Sequence, residues 1–172
     1  MLFVRWTTEY QIALKTLKAI YALRESITEA RGRFEAAPLP GEGHNGNSAE
    51  SEVHRAARSY RLRLTRVGEC RADLLLAEQE ALAAWGEQAR DALANIVLAV
   101  DELFTTYDQY FEAELARARK KDRDGKELGP AANDVAMYRV LYSGQDHDKD
   151  PFAKRIARSA RQAEEFYRDR LK

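Results

Sequence analysis

Apolar residues recur at alternating spacings of three and four along most of this chain, which is the pattern of helices that bury one face. The longest such stretch runs from residue 49 to residue 121 without a proline, and only Gly68 and Gly86 interrupt it. A continuous helix of that length would extend roughly 100 Å at 1.5 Å per residue. The pattern therefore predicts an all-α fold built around this segment, as an antiparallel, coiled-coil-like bundle.

The rest of the chain is predicted to form three further helices, over residues 8–36, 131–142 and 151–171. Residues 37–48 contain two prolines and three glycines, which leave no regular structure for them to adopt, so we interpret them as a linker. The pair Asp150-Pro151 supplies an N-cap and a proline for the first turn of the last helix. We expect one domain over residues 1–172.

The long helix can bury its apolar surface in two ways. Helix 8–36 can cover about residues 50–78 and the C-terminal helices about 81–121, but each half then has one neighbour and exposed apolar flanks. Either the segment breaks at Gly68 or Gly86 and the chain closes its own four-helix bundle, or two chains associate. Neither glycine has turn residues around it, so we favour a continuous, kinked helix and a homodimer. The expected seam between copies comprises Leu93, Ile96, Val100 and Leu103.

The fold-back of the C-terminal helices also has a predicted register. Counting back through the loop after residue 121 places Phe166 and Tyr167 opposite Trp85, and Tyr142 near Tyr110 and Phe111. This arrangement would set the basic last helix against the acidic half of the long segment, which favours an antiparallel direction.

Composition limits the partners and the location of the protein. Lysine plus arginine and aspartate plus glutamate are balanced at 28 each, so no global field attracts nucleic acid or an anionic membrane. No apolar stretch approaches the ~20 residues of a membrane span, and no signal-peptide pattern is present. The single cysteine, Cys70, fits a reducing compartment. We therefore expect a cytoplasmic protein without membrane contact.

Charges are segregated along the chain, although they balance overall. One end of the long segment is basic, the stretch from Asp73 to Glu114 is acidic, and the last helix is basic again. Phosphate contact is one use for a basic helix face, and a solvated or ion-paired face is the other. The residues predicted to point away from the apolar stripe, and so to be free for a partner or a phosphate, are Arg55, Arg58, Arg63 and Arg66.

Four charged residues fall within the apolar stripes themselves: Arg24, Arg31, Arg71 and Glu78. Buried polar layers fix the register of helix pairs at some expense in stability. Long side chains at the edge of a stripe can equally extend to water. The sequence leaves both interpretations open.

Two short motifs match ligand-binding patterns without their structural context. Residues 41–46 fit G-x-G-x-x-G, but no strand precedes them, so we interpret them as linker and not as a dinucleotide site. Residues 146–150 have the D-x-D-x-D spacing of a calcium loop. Pro151 and Ala157 replace its required glycine and glutamate, which favours a solvated loop. We expect no cofactor and no metal.

The sequence alone favours a non-enzymatic scaffold or interaction protein that acts through oligomerisation and binds an unidentified protein partner. The alternative is a nucleic-acid-binding accessory subunit that uses a basic helix face. A third hypothesis is an all-α nuclease without a recognisable motif. Arg139 and His147 approach the R-x4–6-H pattern of such nucleases, but seven residues separate them. No catalytic residue is assigned.

Overall fold

The computed structural model describes residues 2–32, 48–125, 129, 132–143 and 150–172. These residues form five α-helices and contain no strand, which confirms the all-α fold class. The helices are α1 (Leu2–Arg31), α2 (Ala49–Trp85), α3 (Glu87–Asp124), α4 (Ala132–Leu141) and α5 (Pro151–Arg168), with a 3₁₀ turn at Asp169–Leu171. Helix α1 begins six residues before the predicted start at Thr8. Apart from Ser48, the predicted linker lies outside the described residues.

The long segment breaks at Gly86, so the preference for a continuous helix is wrong. Gly86 has φ 68° and ψ −160°, a conformation that residues with a side chain rarely adopt. Its N–H donates to the carbonyl of Leu82, which ends α2, and α3 begins at the next residue. Helices α2 and α3 then pack antiparallel, with Arg71 and Asp101 in an ion pair of 2.7 Å. Gly68 remains within α2.

The chain closes its own four-helix bundle. Helices α1, α2 and α3 occupy three corners, and α4 followed by α5 runs along α3 as the fourth. Pairs of contacting residues show that neighbouring helices run in opposite directions, as in an up-down-up-down bundle. Two contacts fix each direction: Lys15–Glu80 and Gly32–Arg63 between α1 and α2, Ala89–Tyr167 and Asn95–Gln162 between α3 and α5, and Arg24–Glu164 and Arg31–Asp150 between α1 and the start of α5.

The predicted register of the C-terminal helices is confirmed at both of its ends. The rings of Trp85 and Tyr167 lie 5.9 Å apart between centroids, and the hydroxyl of Tyr167 donates to the carbonyl of Ala89. The rings of Tyr110 and Tyr142 lie 6.5 Å apart. Aromatic positions at either end of the helix pair therefore fix how α4 and α5 lie on α3.

The residues expected to form a seam between copies lie inside the bundle instead. Leu93, Ile96, Val100 and Leu103 each have 0% exposure, because the neighbouring helices of the same chain cover them. They are not available to a second copy in this fold. Homodimerisation stays a prediction and has to use another surface.

Candidate interaction surface

The four arginines predicted to form a free face on α2 do not form one. Arg63 is half-buried: its guanidinium stacks 4.7 Å from the ring centroid of Tyr60 and donates to the carbonyl of Gly32 at the end of α1. Arg66 is exposed and pairs with Glu69 at 3.5 Å. Arg55 and Arg58 are half-buried and have interaction partners. The expectation that all four point away from the apolar stripe is wrong for Arg63, which helps to close the core.

Helix α5 carries a more open set of cations. Its inward face consists of residues such as Phe152, Ile156 and Ala160, all at most 4% exposed. The opposite face presents Lys154, Arg158 and Arg161, which we call the α5 stripe. All three are exposed, and none forms an ion pair with another residue in the described part of the chain. The stripe covers about 10 Å of helix at 1.5 Å per residue.

The cations of the α5 stripe are placed unfavourably for helix stability, although the N-cap Asp150 does supply one acid at the N-terminus of α5. The first turn of α5 contains no acidic residue, although the partial positive charge of a helix N-terminus favours acids there. Lys154 lies in that region and is four residues from Arg158, a spacing at which like charges repel on a helix. A sequence selected for helix stability alone would place acids at these positions. Local conflicts of this kind are expected where a surface serves a function.

A buried clasp holds the start of α5 against the ends of α1 and α4. Arg31 and Asp150 form an ion pair of 2.9 Å, and both side chains are 3% exposed. The Arg31 guanidinium also donates to the carbonyls of Arg139 and Val140, which the C-terminus of α4 leaves without helical partners. Asp150 in turn accepts from the N–H of Ala153 as the predicted N-cap of α5. The clasp therefore fixes the junction between α4 and α5.

A groove with a volume of about 380 Å³ lies at this junction. Its apolar lining comes from Ala136, Val140, Pro151 and Phe152, and its charged rim comes from Glu102, Arg139 and Arg155. The side chain of Arg139 is exposed and makes no ion pair within the described part of the chain. Elsewhere on α4, Val135 and Tyr138 are exposed at 47% and 40%, and the ring of Tyr138 contacts Tyr110 and Tyr142. At the groove itself, apolar surface adjoins a positive charge that has no ion-pair partner among the described residues.

Phe152, which lines the groove, contacts two guanidinium groups. Arg31 is 4.7 Å from the ring centroid and Arg155 is 5.1 Å from it. Arg155 also forms an ion pair with Glu102 of α3. Cation–π contacts of this kind contribute about 0.5–1 kcal/mol at exposed sites and more where they are desolvated.

The four charged residues within the apolar stripes do not all behave alike. Some form a buried polar layer, and others extend to water from the edge of the stripe. Arg31 and Glu78 are buried, at 3% and 7% exposure. Arg24 extends outward instead, with an exposed side chain that pairs with Glu164 at 3.4 Å. Arg71 is half-buried and reaches Asp101. The polar layer is thus real at Arg31, while Arg24 lies at the edge of its stripe.

Tyrosines cluster where α2, α3 and α4 meet, at the same end of the bundle as the clasp. Tyr60 is fully buried, contacts the rings of Tyr107 and Tyr142, and donates its hydroxyl to the carbonyl of Leu141 at 2.6 Å. Burial raises the pKa of Tyr60, and it also raises the pKa of Tyr110 and of Tyr142. These side chains are neutral, so they contribute packing and hydrogen bonds without charge.

The remaining candidates for chemistry do not converge. Cys70 is 2% exposed within α2, which suits a small core residue. No three His, Cys, Asp or Glu side chains in the described part of the chain lie close enough together to bind a metal ion. The G-x-G-x-x-G segment and His147 lie outside the described residues, as does the aspartate-rich loop apart from Asp150. None of the described helices is long and apolar enough to cross a membrane.

Comparisons with known proteins add no family to this description. No family model, no curated protein and no solved structure shows significant similarity to the chain.

Proposed function

We propose that this protein is a non-enzymatic interaction protein that binds an anionic partner macromolecule through the surface of α4 and α5. The observation that carries this proposal is the α5 stripe, Lys154, Arg158 and Arg161, which is exposed and unpaired among the described residues. Most other exposed arginines on the described helices have a carboxylate within 4 Å, as Arg66, Arg90 and Arg119 do. A cation that makes no ion pair within the protein can bind another macromolecule without first breaking an internal ion pair.

The α5 stripe takes the place of two surfaces that the sequence predicted for binding, the seam between copies and the basic face of α2. Oligomerisation through Leu93 and its neighbours has lost its support, since those residues fill the core. The α2 face has lost part of its support, since Arg63 and Arg66 are engaged within the chain. What remains is partner binding through a basic helix, with α5 in place of α2.

The test compares what co-purifies with tagged wild-type protein and with charge-reversal variants from the native host. In Arg158→Glu/Arg161→Glu, we expect loss of a partner that wild-type protein retains. Lys120→Glu is the matched control, because Lys120 is exposed on α3 at a distance from the stripe. Arg66→Glu tests the α2 face in the same way. Loss of the partner in Lys120→Glu or Arg66→Glu, with retention in the double variant, would refute the proposal.

A second candidate function is nucleic-acid binding as an accessory subunit, which the same three cations favour because they could contact phosphates. Each phosphate contact releases counterions, so affinity for nucleic acid falls steeply with salt. Binding of a single-stranded DNA oligonucleotide between 50 and 200 mM salt distinguishes the two candidates. A slope that becomes shallower by about one to two contacts in the double variant would favour nucleic acid.

A further inference from the structure

The groove between α4 and α5 indicates which kind of anionic partner the stripe serves. We propose that it is a docking site for a segment of a partner protein that inserts a large apolar side chain into the groove between α4 and α5 and presents carboxylates to Arg139 and the α5 stripe. This inference rests on the proposed function and specifies its partner.

The apolar part of the proposal follows from the lining. Ala136, Val140 and Pro151 offer aliphatic surface, and the volume of about 380 Å³ is at the lower end of the range of ligand pockets. The cations on the rim and along the α5 stripe extend over about 10 Å of helix, which is more than a small molecule in the groove would cover. A peptide segment, with an apolar anchor in the groove and carboxylates along α5, fits this layout.

The charged part follows from the rim. Arg155 is neutralised by Glu102, whereas Arg139 has no ion-pair partner among the described residues. The α5 stripe begins two residues after Phe152 and adds three more cations without an ion-pair partner in the described part of the chain. A partner segment must therefore carry negative charge beside its apolar anchor. Such complementarity speeds association and fixes register more than it adds affinity.

Two features favour a protein segment over a nucleic acid. Bases bind by stacking on open aromatic faces, but Phe152 is only 4% exposed and contacts the guanidinium groups of Arg31 and Arg155. An apolar pocket with arginines on its rim, such as Arg139 and Arg155 here, is in contrast the kind of site where protein partners bind most strongly.

A peptide-display selection on the full chain tests the proposal. We expect the enriched peptides to share an aromatic or large aliphatic residue next to aspartate or glutamate. Ala136→Trp fills the groove from an exposed position of α4, and Arg139→Glu reverses the charge of its rim. Each is expected to weaken the best enriched peptide by about tenfold or more, as for residues central to an interface. Lys120→Glu should change its affinity by less than about twofold.

The outcomes separate this inference from the proposed function. If Arg158→Glu/Arg161→Glu abolishes partner binding while Ala136→Trp leaves it unchanged, the stripe is functional and the groove is not a docking site. Enriched peptides without acidic residues, or no enriched peptide at all, would also overturn the proposal. Binding of single-stranded DNA with a steep salt dependence and no effect of Ala136→Trp would assign the surface to nucleic acid instead. Thermal melts of each variant establish that it is folded before binding is compared.

Discussion

Arg31 at the end of α1 and Asp150 at the start of α5 form an ion pair in the interior, 119 residues apart in the sequence. Both side chains make further hydrogen bonds. Arg31 donates to two carbonyls at the end of α4, and Asp150 accepts from a backbone N–H in the first turn of α5. The ion pair therefore joins three helices at one point, and Pro151 and Phe152, which directly follow Asp150, line the α4–α5 groove.

Asp150→Asn is expected to lower the free energy of unfolding by about 3–5 kcal/mol, because it leaves the buried Arg31 guanidinium without a compensating charge. Asparagine is as good an N-cap as aspartate, so the cap of α5 is retained and the loss reports the ion pair. Chemical denaturation measures it. Arg66→Ala serves as the control, since its exposed pair with Glu69 is worth at most about 1 kcal/mol. Equal losses in the two variants would contradict a structural role for the clasp.

The two glycines of the long segment are expected to respond in opposite ways to alanine. Gly86→Ala should destabilise by about 1–3 kcal/mol, because a residue with a Cβ is strained at φ 68° and ψ −160°. No atom lies within 4 Å of the added Cβ, so the cost is conformational. Gly68→Ala should stabilise α2 by about 0.5–1 kcal/mol, with its Cβ in ordinary contact with Phe104 at 3.8 Å. Stabilisation by both changes would mean that the helix continues through Gly86.

This contrast also explains what the sequence could not predict about the fold. The apolar spacing identified the helical class and, by counting residues, the pairing of Trp85 with Tyr167. It could not distinguish Gly68 from Gly86, because neither is flanked by turn residues. Tertiary packing decides which glycine interrupts the helix. A break at Gly86 allows α2 and α3 to pack against each other, with contacts such as the ion pair between Arg71 and Asp101. Such long-range gains outweigh local propensity.

The candidate site was predictable only in part, for a related reason. The sequence identified α5 as basic and Asp150 as its cap, and both features occur in the structure. It assigned the free cations to α2, because helical spacing cannot reveal that Arg63 meets Tyr60 and the end of α1. The groove depends on how α4 and α5 follow one another along α3. A spacing pattern within single helices contains no information about that junction.

Two positions on α3 distinguish an internal core from a seam between copies. Ile96 has 0% exposure and Leu98 has 65%, although they are two residues apart. Ile96→Asp buries an uncompensated charge and should remove more than about 4 kcal/mol of stability, enough to unfold a marginal domain. Leu98→Asp should change stability by less than about 0.5 kcal/mol. Circular dichroism and light scattering provide the readout. If the wild type is a dimer and Ile96→Asp is a folded monomer, Ile96 lies between two copies and not in the core of one chain.

The buried tyrosines predict a loss of stability in alkaline solution. Burial raises the pKa of Tyr60 in the folded protein, and its pKa returns to about 10 in the unfolded chain. Below that pH the hydroxyl is neutral in both states, and its contribution is fully present. Above pH 10 the unfolded chain releases a proton that the folded protein retains, so stability falls as pH rises. Each such tyrosine contributes a slope of up to about 1.4 kcal/mol per pH unit.

Urea denaturation at pH 8, 10 and 11 measures this slope, and Tyr60→Phe should make it shallower. At pH 8 the same variant should cost about 1–3 kcal/mol, because it leaves the buried Leu141 carbonyl without its 2.6 Å donor. The two effects have opposite consequences at high pH: phenylalanine loses a hydrogen bond but has no proton to release. The stability difference between Tyr60→Phe and wild type should therefore narrow as pH rises. A difference that is constant from pH 8 to pH 11 would show that Tyr60 ionises alike in the folded and unfolded states.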